Sequence, residues 1–513
     1  MSGSIKDNAA WYLVDRHAEG EHSEKTAFVE YDGENRSISY SELSNQSGQM
    51  AAFYEKFEIR REERVALLLL DRIEFPIIFL GSMKAGVVPI AMNTLLATDV
   101  YDAILRDSRA SAIFVSPELL NVVAPALKDN PYIKHVFVTG GDAGEYQSFA
   151  EAIDGCDGRP PIEVTPDESA FWLYSSGSTG QPKGVRHVHS SLKYTAETYG
   201  NQVLEIQSDD VVYSAAKFFF AYGLGNALTF PMSVGATTVI FSGRPTPDVV
   251  FKILEEKAPT VFCGVPTLYA AMNAFAESSG LEFGTKLRCC ISAGEALPED
   301  VGKGWENLTG CEILDGVGST EMLHIFLSNK PNDVVYGTSG TAVPGYKIRL
   351  VDDEGRDIGD GEVGELLVNG NSAAADYWNQ REKSRKTFEG EWTHTGDKYE
   401  RRADGRLIYC GRTDDMFKVS GIWVSPFEVE QSIASHSNVL EAAVVPARDE
   451  EDLEKPKAFV VLKEGVQSEG IEELLKEHVK EQIGKWKYPR WIEIVDDLPK
   501  TATGKIQRFK LRA

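Results

Sequence analysis

Residues 174–184 read Tyr174-Ser175-Ser176-Gly177-Ser178-Thr179-Gly180-Gln181-Pro182-Lys183-Gly184. The stretch contains three glycines and four Ser/Thr hydroxyls, so its backbone N–H groups and hydroxyls can surround phosphate oxygens, and Lys183 adds a positive charge. It follows an apolar, strand-like run at residues 170–173 and precedes a helical pattern that begins near His189. We therefore interpret it as a phosphate-binding loop.

Two other interpretations of this stretch fail on particular residues. A Walker A loop requires G-x-x-x-x-G-K-[ST], but Pro182 stands where its second glycine belongs and Gly184 follows the lysine. A solvated Gly/Ser linker would explain neither the Pro-Lys-Gly ending nor the preceding apolar strand. The phosphate loop is therefore not of the P-loop NTPase kind.

Length and charge limit the class of protein. The chain has 513 residues, 42% apolar and 26% charged, which is typical of a soluble globular protein with at least two domains. Its formal charge of −25 would repel nucleic acid and anionic membranes, so we expect neither as a partner. The six cysteines show no C-x-x-C spacing, which argues against a zinc site or a disulfide framework. The N-terminus has no signal-like apolar core and no stretch is apolar enough to span a membrane, so we expect a cytoplasmic protein.

The order of elements predicts an α/β fold. Short β-branched runs alternate with helical patterns, which favours two helix-covered, mostly parallel sheets. The runs are residues 65–70, 112–116, 135–139, 211–215, 237–241, 260–265 and 289–293. From about residue 346, closely spaced strands predict a small antiparallel, β-barrel-like subdomain, and a compact α+β unit follows Asp414. We expect an N-terminal domain over residues 1–413 and a C-terminal domain over residues 414–513.

Four further motifs follow the phosphate loop in order. They are Asp315-Gly316-Val317-Gly318-Ser319-Thr320-Glu321, Trp392-Thr393-His394-Thr395-Gly396-Asp397, Tyr409-Cys410-Gly411-Arg412-Thr413-Asp414-Asp415 and Leu498-Pro499-Lys500-Thr501-Ala502-Thr503-Gly504-Lys505. Together the five motifs resemble those of the ANL superfamily of adenylating enzymes, which comprises acyl-CoA synthetases, adenylation domains of peptide synthetases and luciferases. The resemblance covers the whole chain and implies ATP, Mg²⁺ and CoA as ligands, with a small C-terminal domain that moves.

The resemblance implies a nucleotide site. Glu321 can hold Mg²⁺ through one carboxylate together with phosphate oxygens, and Thr320 would contact the α-phosphate, so both belong to the implied catalytic set. The segment Gly294 to Ala296 would lie against the adenine, while Asp397, with Arg412 beside it, would hold the ribose hydroxyls. The implied ATP- and AMP-binding residues are Ser175, Ser176, Gly177, Ser178, Thr179, Gly180, Lys183, Gly294, Glu295, Ala296, Asp315, Gly316, Thr320, Asp397, Tyr409 and Arg412.

The last motif implies a catalytic lysine and a moving domain. Lys505 is a point charge on a glycine-hinged loop, able to bridge the substrate carboxylate and the α-phosphate. By resemblance, the small domain swings on Asp414 and then presents Gly421, Ile422 and Trp423 to the pantetheine tunnel of CoA. A simple turn glycine at Gly421 is an alternative that the sequence leaves open.

The acyl pocket follows from a closer resemblance. Residues 216–226 and 318–326 resemble the pocket walls of benzoate-CoA and 4-hydroxybenzoate-CoA ligases, and the implied lining residues are Ala221, Tyr222, Gly318, His324 and Ile325. Apart from the histidine, these residues are apolar or uncharged, and none offers the carboxylate that would hold an amino acid's ammonium group. His324 is either a core histidine or a substrate contact. We expect an aromatic acid, either benzoate or a substituted benzoate.

The predicted reaction has two steps. An aromatic carboxylate and ATP with Mg²⁺ give an acyl-adenylate and pyrophosphate, and CoA then displaces AMP to form an aryl-CoA. The alternative is a stand-alone enzyme that loads an aryl or medium-chain acid onto a carrier protein, although we expect no attached carrier domain. A nucleotide-binding regulator without turnover is disfavoured, because Lys505, Glu321 and Asp397 are all present. Further candidate partners are a lysine acetyltransferase acting on Lys505 and a second copy in a homodimer.

Overall fold

The chain forms two compact units. The computed structural model describes residues 3–33, 35–176, 182–280, 283–419, 422–450, 453–485, 487–500 and 506–512. One unit comprises Met1–Ile348 and Val368–His394, and the other comprises Arg349–Leu367 and Thr395–Ala513. Within the described ranges, no helix is both long and apolar enough to cross a membrane.

The first unit contains two sheets. The strands of one sheet are β1 (Thr26–Glu30), β2 (Ser37–Ser39), β10 (Val211–Ser214), β11 (Thr237–Ile240), β12 (Val261–Gly264), β13 (Cys289–Ser292), β14 (Ile313–Gly318), β15 (Ile325–Ser328) and β16 (Thr341–Ala342). They lie in the order β16-β15-β14-β13-β12-β10-β11-β1-β2, and the strands from β14 to β1 pair in parallel. The carboxyl ends of these parallel strands therefore share one edge, which is where ligands bind in such sheets.

The other sheet of this unit carries the phosphate-loop segment. Its strands are β3 (Arg64–Leu68), β4 (Val88–Ala91), β5 (Ala112–Val115), β6 (His135–Val138), β7 (Gln147–Ser148), β8 (Ser169–Ser176), β9 (Pro182–Val188) and β19 (Asp376–Tyr377). They lie in the order β19-β9-β8-β4-β3-β5-β6-β7. The strands from β8 to β7 pair in parallel, whereas β9 pairs antiparallel with both β8 and β19.

Helices cover both sheets of the first unit. They are α1 (Arg16–Ala18), α2 (Tyr40–Lys56), α3 (Glu74–Ala85), α4 (Thr98–Ser108), α5 (Leu120–Leu127), α6 (Phe149–Ile153), α7 (His189–Thr195), α8 (Ala221–Leu224), α9 (Phe230–Val234), α10 (Pro247–Glu256), α11 (Pro266–Ser279), α12 (Glu299–Thr309) and α13 (Arg381–Thr387). Helix α2 shows why such elements begin where they do, because Ser39 and Glu42 form a reciprocal capping box at its first turn.

Antiparallel strands follow toward the C-terminus, as the sequence predicted. They are β17 (Lys347–Val351), β18 (Val363–Asn369), β20 (Phe388–Glu389), β21 (Trp392–Arg401) and β22 (Leu407–Arg412). A hairpin of β23 (Phe417–Val419) and β24 (Ile422–Val424) comes next, and then a sheet of β25 (Val439–Arg448), β26 (Glu454–Leu462) and β27 (Trp491–Ile494). Helices α14 (Pro426–Ala434) and α15 (Ile471–Ile483) bury apolar side chains against this sheet, among them Val429, Ile433, Leu475 and Val479.

The predicted α/β class, with mostly parallel sheets and a small C-terminal α+β part, is confirmed. Each predicted β-branched run overlaps an observed strand, and β5, β12 and β13 are buried along their whole length, as expected for parallel strands covered on both faces. Strand β9 is among the strands that were not predicted. Pro182 to Val188 form β9, because a proline at the first position of a strand needs no ladder hydrogen bond and the chain can turn back onto β8.

Candidate active site

The phosphate-loop segment is built on a β-hairpin. Strands β8 and β9 pair with Ser175 opposite Lys183 and Ser176 opposite Pro182. Paired residues of an antiparallel ladder lie side by side on one face, so Ser175 and Lys183 are neighbours. The loop members Gly177, Ser178, Thr179 and Gly180 lie outside the described residues, as does the side chain of Ser176.

The Glu321 carboxylate meets this hairpin. The Ser175 hydroxyl donates to Glu321 Oε1 over 3.3 Å, and the Tyr377 hydroxyl donates to the same oxygen over 2.8 Å. Lys183 Nζ lies 3.8 Å from that oxygen and 3.5 Å from the Tyr377 hydroxyl, which receives its hydrogen bond. The structure thus brings the lysine of the first motif to the glutamate of the second. It adds Tyr377, which sequence analysis missed.

A buried histidine joins β9 to the turn that carries Thr320. His187 Nε2 donates to the Thr320 carbonyl oxygen over 2.8 Å, and the His187 ring stacks on Phe171 with centroids 5.2 Å apart. Complete burial lowers the pKa of His187 to about 4, so the imidazole is neutral at neutral pH. Because a carbonyl can only accept, Nε2 must carry the proton of this neutral ring. The Thr320 backbone is therefore tied to the strand that supplies Lys183.

The predicted adenine segment lies at the carboxyl edge of the parallel sheet. Ser292, the last residue of β13, pairs with Asp315 in β14, so Gly294, Glu295 and Ala296 follow at the same edge as Gly316. Gly294 has φ +96°, and a Cβ built there would meet nothing within 4 Å. Burial raises the pKa of the Asp315 carboxyl well above its usual range. The loop therefore offers open backbone, which a flat base can approach.

The predicted acyl-pocket residues largely form one wall. Ile325 in β15 pairs with Gly318 in β14, and a Cβ on Gly318 would lie 2.5 Å from the His324 carbonyl oxygen, so only glycine fits there. His324 Nε2 lies 3.2 Å from the Tyr222 carbonyl oxygen, and the two rings are 5.7 Å apart. Tyr222, Gly318, His324 and Ile325 are thus brought together.

The hydroxyl of Tyr222 is held by hydrogen bonds. The Tyr222 hydroxyl lies 2.9 Å from the Gly264 carbonyl oxygen and 3.1 Å from that of Ile291, at the ends of β12 and β13. Ala221 begins α8, and both it and Tyr222 are half-buried. Tyr222 is therefore held at its hydroxyl and at its backbone carbonyl, while it and Ala221 remain partly accessible.

His324 is packed as a core histidine. Its ring lies 5.4 Å from Tyr199 and 4.6 Å from Phe230, measured between centroids, and a Cβ on Gly225 would lie only 2.2 Å from its Cδ2. Burial lowers the pKa of His324 to about 3, so the ring is neutral. Its Nδ1 is buried and has no hydrogen-bond partner among the described residues. These contacts favour the core alternative, and a direct substrate contact stays a prediction.

The predicted ribose-binding pair lies in the second unit. Asp397 and Arg412 are partners across β21 and β22, and Arg412 Nη1 donates to Asp397 Oδ1 over 2.9 Å and to the Thr395 carbonyl oxygen over 3.2 Å. Gly396 adopts φ +70°, and a Cβ there would lie 3.0 Å from Arg412 Nη2. Tyr409, two residues after the start of β22, packs its ring 5.0 Å from Phe427. Asp397 and Arg412 thus meet as expected.

Two C-terminal arginines contact the predicted hinge or its neighbour Asp415. Asp414 is exposed, and its carbonyl oxygen lies 3.4 Å from Arg512 Nη2. Arg512 also pairs with Asp415 at 2.5 Å, and Arg508 pairs with Glu430 at 2.6 Å. Gly421 and Lys505 lie outside the described residues, as do the side chains of Ile422 and Trp423. Their roles stay predictions.

The described residues contain no cluster of three or more His, Cys, Asp or Glu that could hold a metal ion. A lone carboxylate such as Glu321 fits a different kind of site. Mg²⁺ commonly binds through one or two carboxylates together with substrate phosphates and water. Glu321 beside the phosphate-loop hairpin has this donor chemistry, whereas a protein-only cage would require more ligands.

Comparisons with known proteins identify the family. The sequence matches the family described as "AMP-binding enzyme" over residues 14–378 and the "AMP-binding enzyme C-terminal domain" over residues 428–505. It is 51% identical to a 4-hydroxybenzoate-CoA/benzoate-CoA ligase of Rhodopseudomonas palustris, over 98% of this chain and 94% of the relative. It is 52% identical to a benzoate-CoA ligase of Thauera aromatica, over 99% and 96%.

A solved structure extends the likeness to the fold. A benzoate CoA ligase from Burkholderia xenovorans superposes with a TM-score of 0.90 at 47% identity, and the match covers 99% of this chain and 100% of that one. One conclusion follows from the motifs, from the contact between Lys183 and Glu321, and from the family matches over both parts of the chain. This chain belongs to the AMP-binding enzymes, the ANL superfamily of adenylating enzymes.

Proposed function

We propose that the chain is an AMP-forming aryl-CoA ligase, which converts an aromatic monocarboxylate, ATP and CoA to aryl-CoA, AMP and pyrophosphate. ATP and CoA are substrates of the ligases in this family. Benzoate or a simple substituted benzoate is the proposed acid. The observation that carries the proposal is identity of about one half, over nearly the whole chain, to two ligases that act on benzoate.

The first step of the proposal is adenylation of the acid. Lys183 and the loop beside it bind phosphate oxygens, Thr320 contacts the α-phosphate, and Lys505 stabilises charge as the carboxylate attacks and pyrophosphate leaves. Mg²⁺, when bound by Glu321 and phosphate oxygens, would neutralise charge on the phosphates. Asp397, with Arg412 beside it, would hold the ribose hydroxyls and so fix the nucleotide.

The second step is thioester formation. Residues 414–513 are proposed to rotate about Asp414, withdrawing Lys505 and bringing Gly421, Ile422 and Trp423 to the pantetheine chain of CoA. The CoA thiolate then attacks the acyl carbonyl carbon, the bond from that carbon to the adenylate oxygen breaks, and AMP leaves. The same active site thus serves both reactions, because the small domain presents a different surface to it in each step.

The side chains of the predicted acyl pocket support an aromatic acid. Tyr222 presents a half-buried phenol beside Ala221, and Ile325 adds an aliphatic side chain from β15. His324 is neutral behind them, since burial lowers its pKa to about 3. None of Ala221, Tyr222, Gly318 and Ile325 offers a carboxylate, so these residues would favour an uncharged ring over an ammonium group.

A pyrophosphate-release screen tests the substrate class. The acids are benzoate, hydroxybenzoates, aminobenzoates, furoate, cyclohexanecarboxylate and medium-chain fatty acids, each with ATP and with or without CoA. We expect benzoate-type acids to give the highest kcat/KM and to form the thioester with free CoA. Faster turnover of octanoate than of benzoate would overturn the aryl assignment. Thioester formation on a carrier protein but not on CoA would favour the carrier-loading alternative.

Three further parts of the proposal concern the setting of the enzyme. A cytoplasmic location would supply ATP and CoA. A homodimer would appear in light scattering as twice the mass of 56.6 kDa. A lysine acetyltransferase is a proposed partner, because acetylation of Lys505 would remove its charge and stop adenylation. Mass spectrometry of the acetyltransferase-treated enzyme, paired with an activity assay, tests this: an unmodified Lys505 or unchanged activity would count against it.

A further inference from the structure

Tyr377 occupies the centre of the contacts between the phosphate-loop hairpin and Glu321. Its hydroxyl accepts a hydrogen bond from Lys183 Nζ at 3.5 Å and donates one to Glu321 Oε1 at 2.8 Å. The Lys183 ammonium also lies 4.5 Å from the centre of the Tyr377 ring, within the range of a cation–π contact. One phenol therefore contacts both the proposed phosphate-binding lysine and the proposed metal ligand.

The contacts with Glu321 all fall on one of its two oxygens. Ser175, Tyr377 and Lys183 approach Oε1 at 3.3, 2.8 and 3.8 Å respectively. No described residue makes a hydrogen bond or ion pair with Oε2. A carboxylate whose one oxygen is held by hydrogen bonds has a fixed plane, and its second oxygen then points in a fixed direction.

The phenol is itself firmly placed. Tyr377 belongs to β19 and pairs with Val185 of β9, so its backbone is bonded to the strand that carries Lys183. The neighbouring Asp376 forms two hydrogen bonds of 2.5 Å with Arg186, also on β9. The Tyr377 ring is buried and packs 5.4 Å from Phe388. The hydroxyl therefore keeps its position relative to the hairpin.

We propose that Tyr377 is a positioning residue for the metal ligand: its hydroxyl holds Oε1 of Glu321, so that Oε2 faces the divalent cation that accompanies ATP. Lys183 and Glu321 form an ion pair at 3.8 Å, which is longer than a hydrogen bond, and each makes a hydrogen bond to the Tyr377 hydroxyl instead. The phenol between them receives the lysine's hydrogen bond and leaves the lysine able to turn toward phosphate. The proposal rests on the proposed function, because it assumes that Glu321 binds the cation.

The test is a metal titration of Tyr377→Phe, with Tyr54→Phe as the matched control. Tyr54 is also buried, but its hydroxyl bonds to Ser82 on a helix of the same unit. Binding of Mn²⁺ to each protein in the presence of a non-hydrolysable ATP analogue is followed by electron paramagnetic resonance. Loss of a residue that orients a metal ligand typically weakens metal affinity about 10- to 100-fold, and we expect that shift only for Tyr377→Phe.

Kinetics then separate positioning from a general structural role. In adenylation assays, Tyr377→Phe should need about 10-fold more free Mg²⁺ for half-maximal rate, and kcat should recover at saturating Mg²⁺. Unchanged Mn²⁺ affinity and unchanged Mg²⁺ dependence would overturn the proposal, as would a lower kcat at every Mg²⁺ concentration. If Tyr377→Phe melts well below Tyr54→Phe, Ser175→Ala becomes the test, because it removes another Oε1 donor, and it should shift Mn²⁺ affinity in the same direction.

The outcome is distinguishable from failure of the proposed function. The Mn²⁺ measurement uses the ATP analogue alone and needs no acid substrate. A wild-type protein that releases no pyrophosphate with any acid would refute the ligase assignment. A wild-type protein that is active but has the same metal affinity as Tyr377→Phe would refute only the role of Tyr377.

Discussion

Gly225 lies against the histidine that backs the acyl pocket, and its replacement by alanine should reshape that pocket. An added Cβ would lie 2.2 Å from His324 Cδ2 and 2.6 Å from Nε2. Ordinary carbon contacts begin near 3.5 Å, so the imidazole must move by about 1 Å. Tyr199 and Phe230 pack against the same ring and resist that movement. The strain should therefore reach Tyr222, whose carbonyl oxygen holds the ring.

The size of the effect follows from overpacking. Forcing an extra methyl into a filled core typically costs about 1–3 kcal/mol. If the pocket takes up that strain, KM for benzoate should rise about 5- to 140-fold, since each 1.4 kcal/mol is a factor of ten. KM for ATP should stay near the wild-type value, because no described contact joins His324 to Lys183 or Glu321. The melting temperature should also fall.

A double-mutant cycle decides whether the clash is the cause. Steady-state kinetics and thermal melts are measured for Gly225→Ala, His324→Ala and the double variant, with Gly284→Ala as a control at a glycine that has open space around it. Removing the imidazole should relieve the clash, so Gly225→Ala should cost much less in the His324→Ala background. Additive losses, or an unchanged KM for benzoate in Gly225→Ala, would show that His324 does not transmit strain to the pocket.

Three other predictions test charge and movement. Burial lowers the pKa of His187 to about 4 and of His324 to about 3, below the usual value near 6.5, so the unfolded chain binds protons more readily. Stability should therefore fall as pH decreases from about 6.5 toward 4, by up to roughly 1.4 kcal/mol per pH unit for each histidine. Urea melts at both pH values should show a smaller fall for His324→Phe, and an equal fall would contradict the assignment. Asp397→Asn should raise KM for ATP at least about 10-fold, because a charged hydrogen-bond acceptor is lost. The melting temperature should change little, because the partner Arg412 is 43% exposed and such pairs add under about 1 kcal/mol to stability. A large loss of stability would instead make the pair structural. Lys505→Ala should slow adenylation at least about 100-fold but spare thioester formation from supplied acyl-adenylate. Gly421→Leu should slow thioester formation and spare adenylation. Asp414→Pro should trap one arrangement of the domains by fixing φ near about −65°. Single-turnover assays of each half-reaction check this, and equal losses in both for the first two variants would refute domain alternation.

The sequence predicts the sheets well because their strands are buried runs. Strands such as β12 and β13 are buried throughout and mostly apolar, so a local window is enough to find them. The motifs likewise predict that Lys183 and Glu321 share a site. In contrast, β19 contains only Asp376 and Tyr377, and a strand of that length has no periodicity to detect. It forms because β9 offers an unpaired edge, which no local pattern reveals.

Sequence analysis missed Tyr377 and His187, and each of them contacts a predicted site residue from a distant part of the chain. Lys183 and Tyr377 are 194 residues apart, and His187 and Thr320 are 133 residues apart. Neither a tyrosine in a Tyr-Trp-Asn run nor a histidine in a strand carries a signal of its own function. The resemblance could assign a residue only where a motif was known, so residues that act by orienting motif side chains were not found.

The contact at Glu321 joins two separately stabilised sheets of the first unit. Lys183 lies on β9, which pairs with β8, and Trp172 of β8 is buried in one apolar cluster. Glu321 follows β14, and Ile313 of β14 is buried in another. Each sheet thus has its own core. The ion pair between Lys183 and Glu321, at 3.8 Å and with side chains 11% and 16% exposed, is weak evidence for added stability, because desolvation offsets much of the attraction. Orientation is the better explanation for Lys183, Tyr377 and Glu321. Ser175, Lys183 and Tyr377 all contact Oε1 of Glu321 where the two sheets meet, and in our proposal Oε2 is left for the cation.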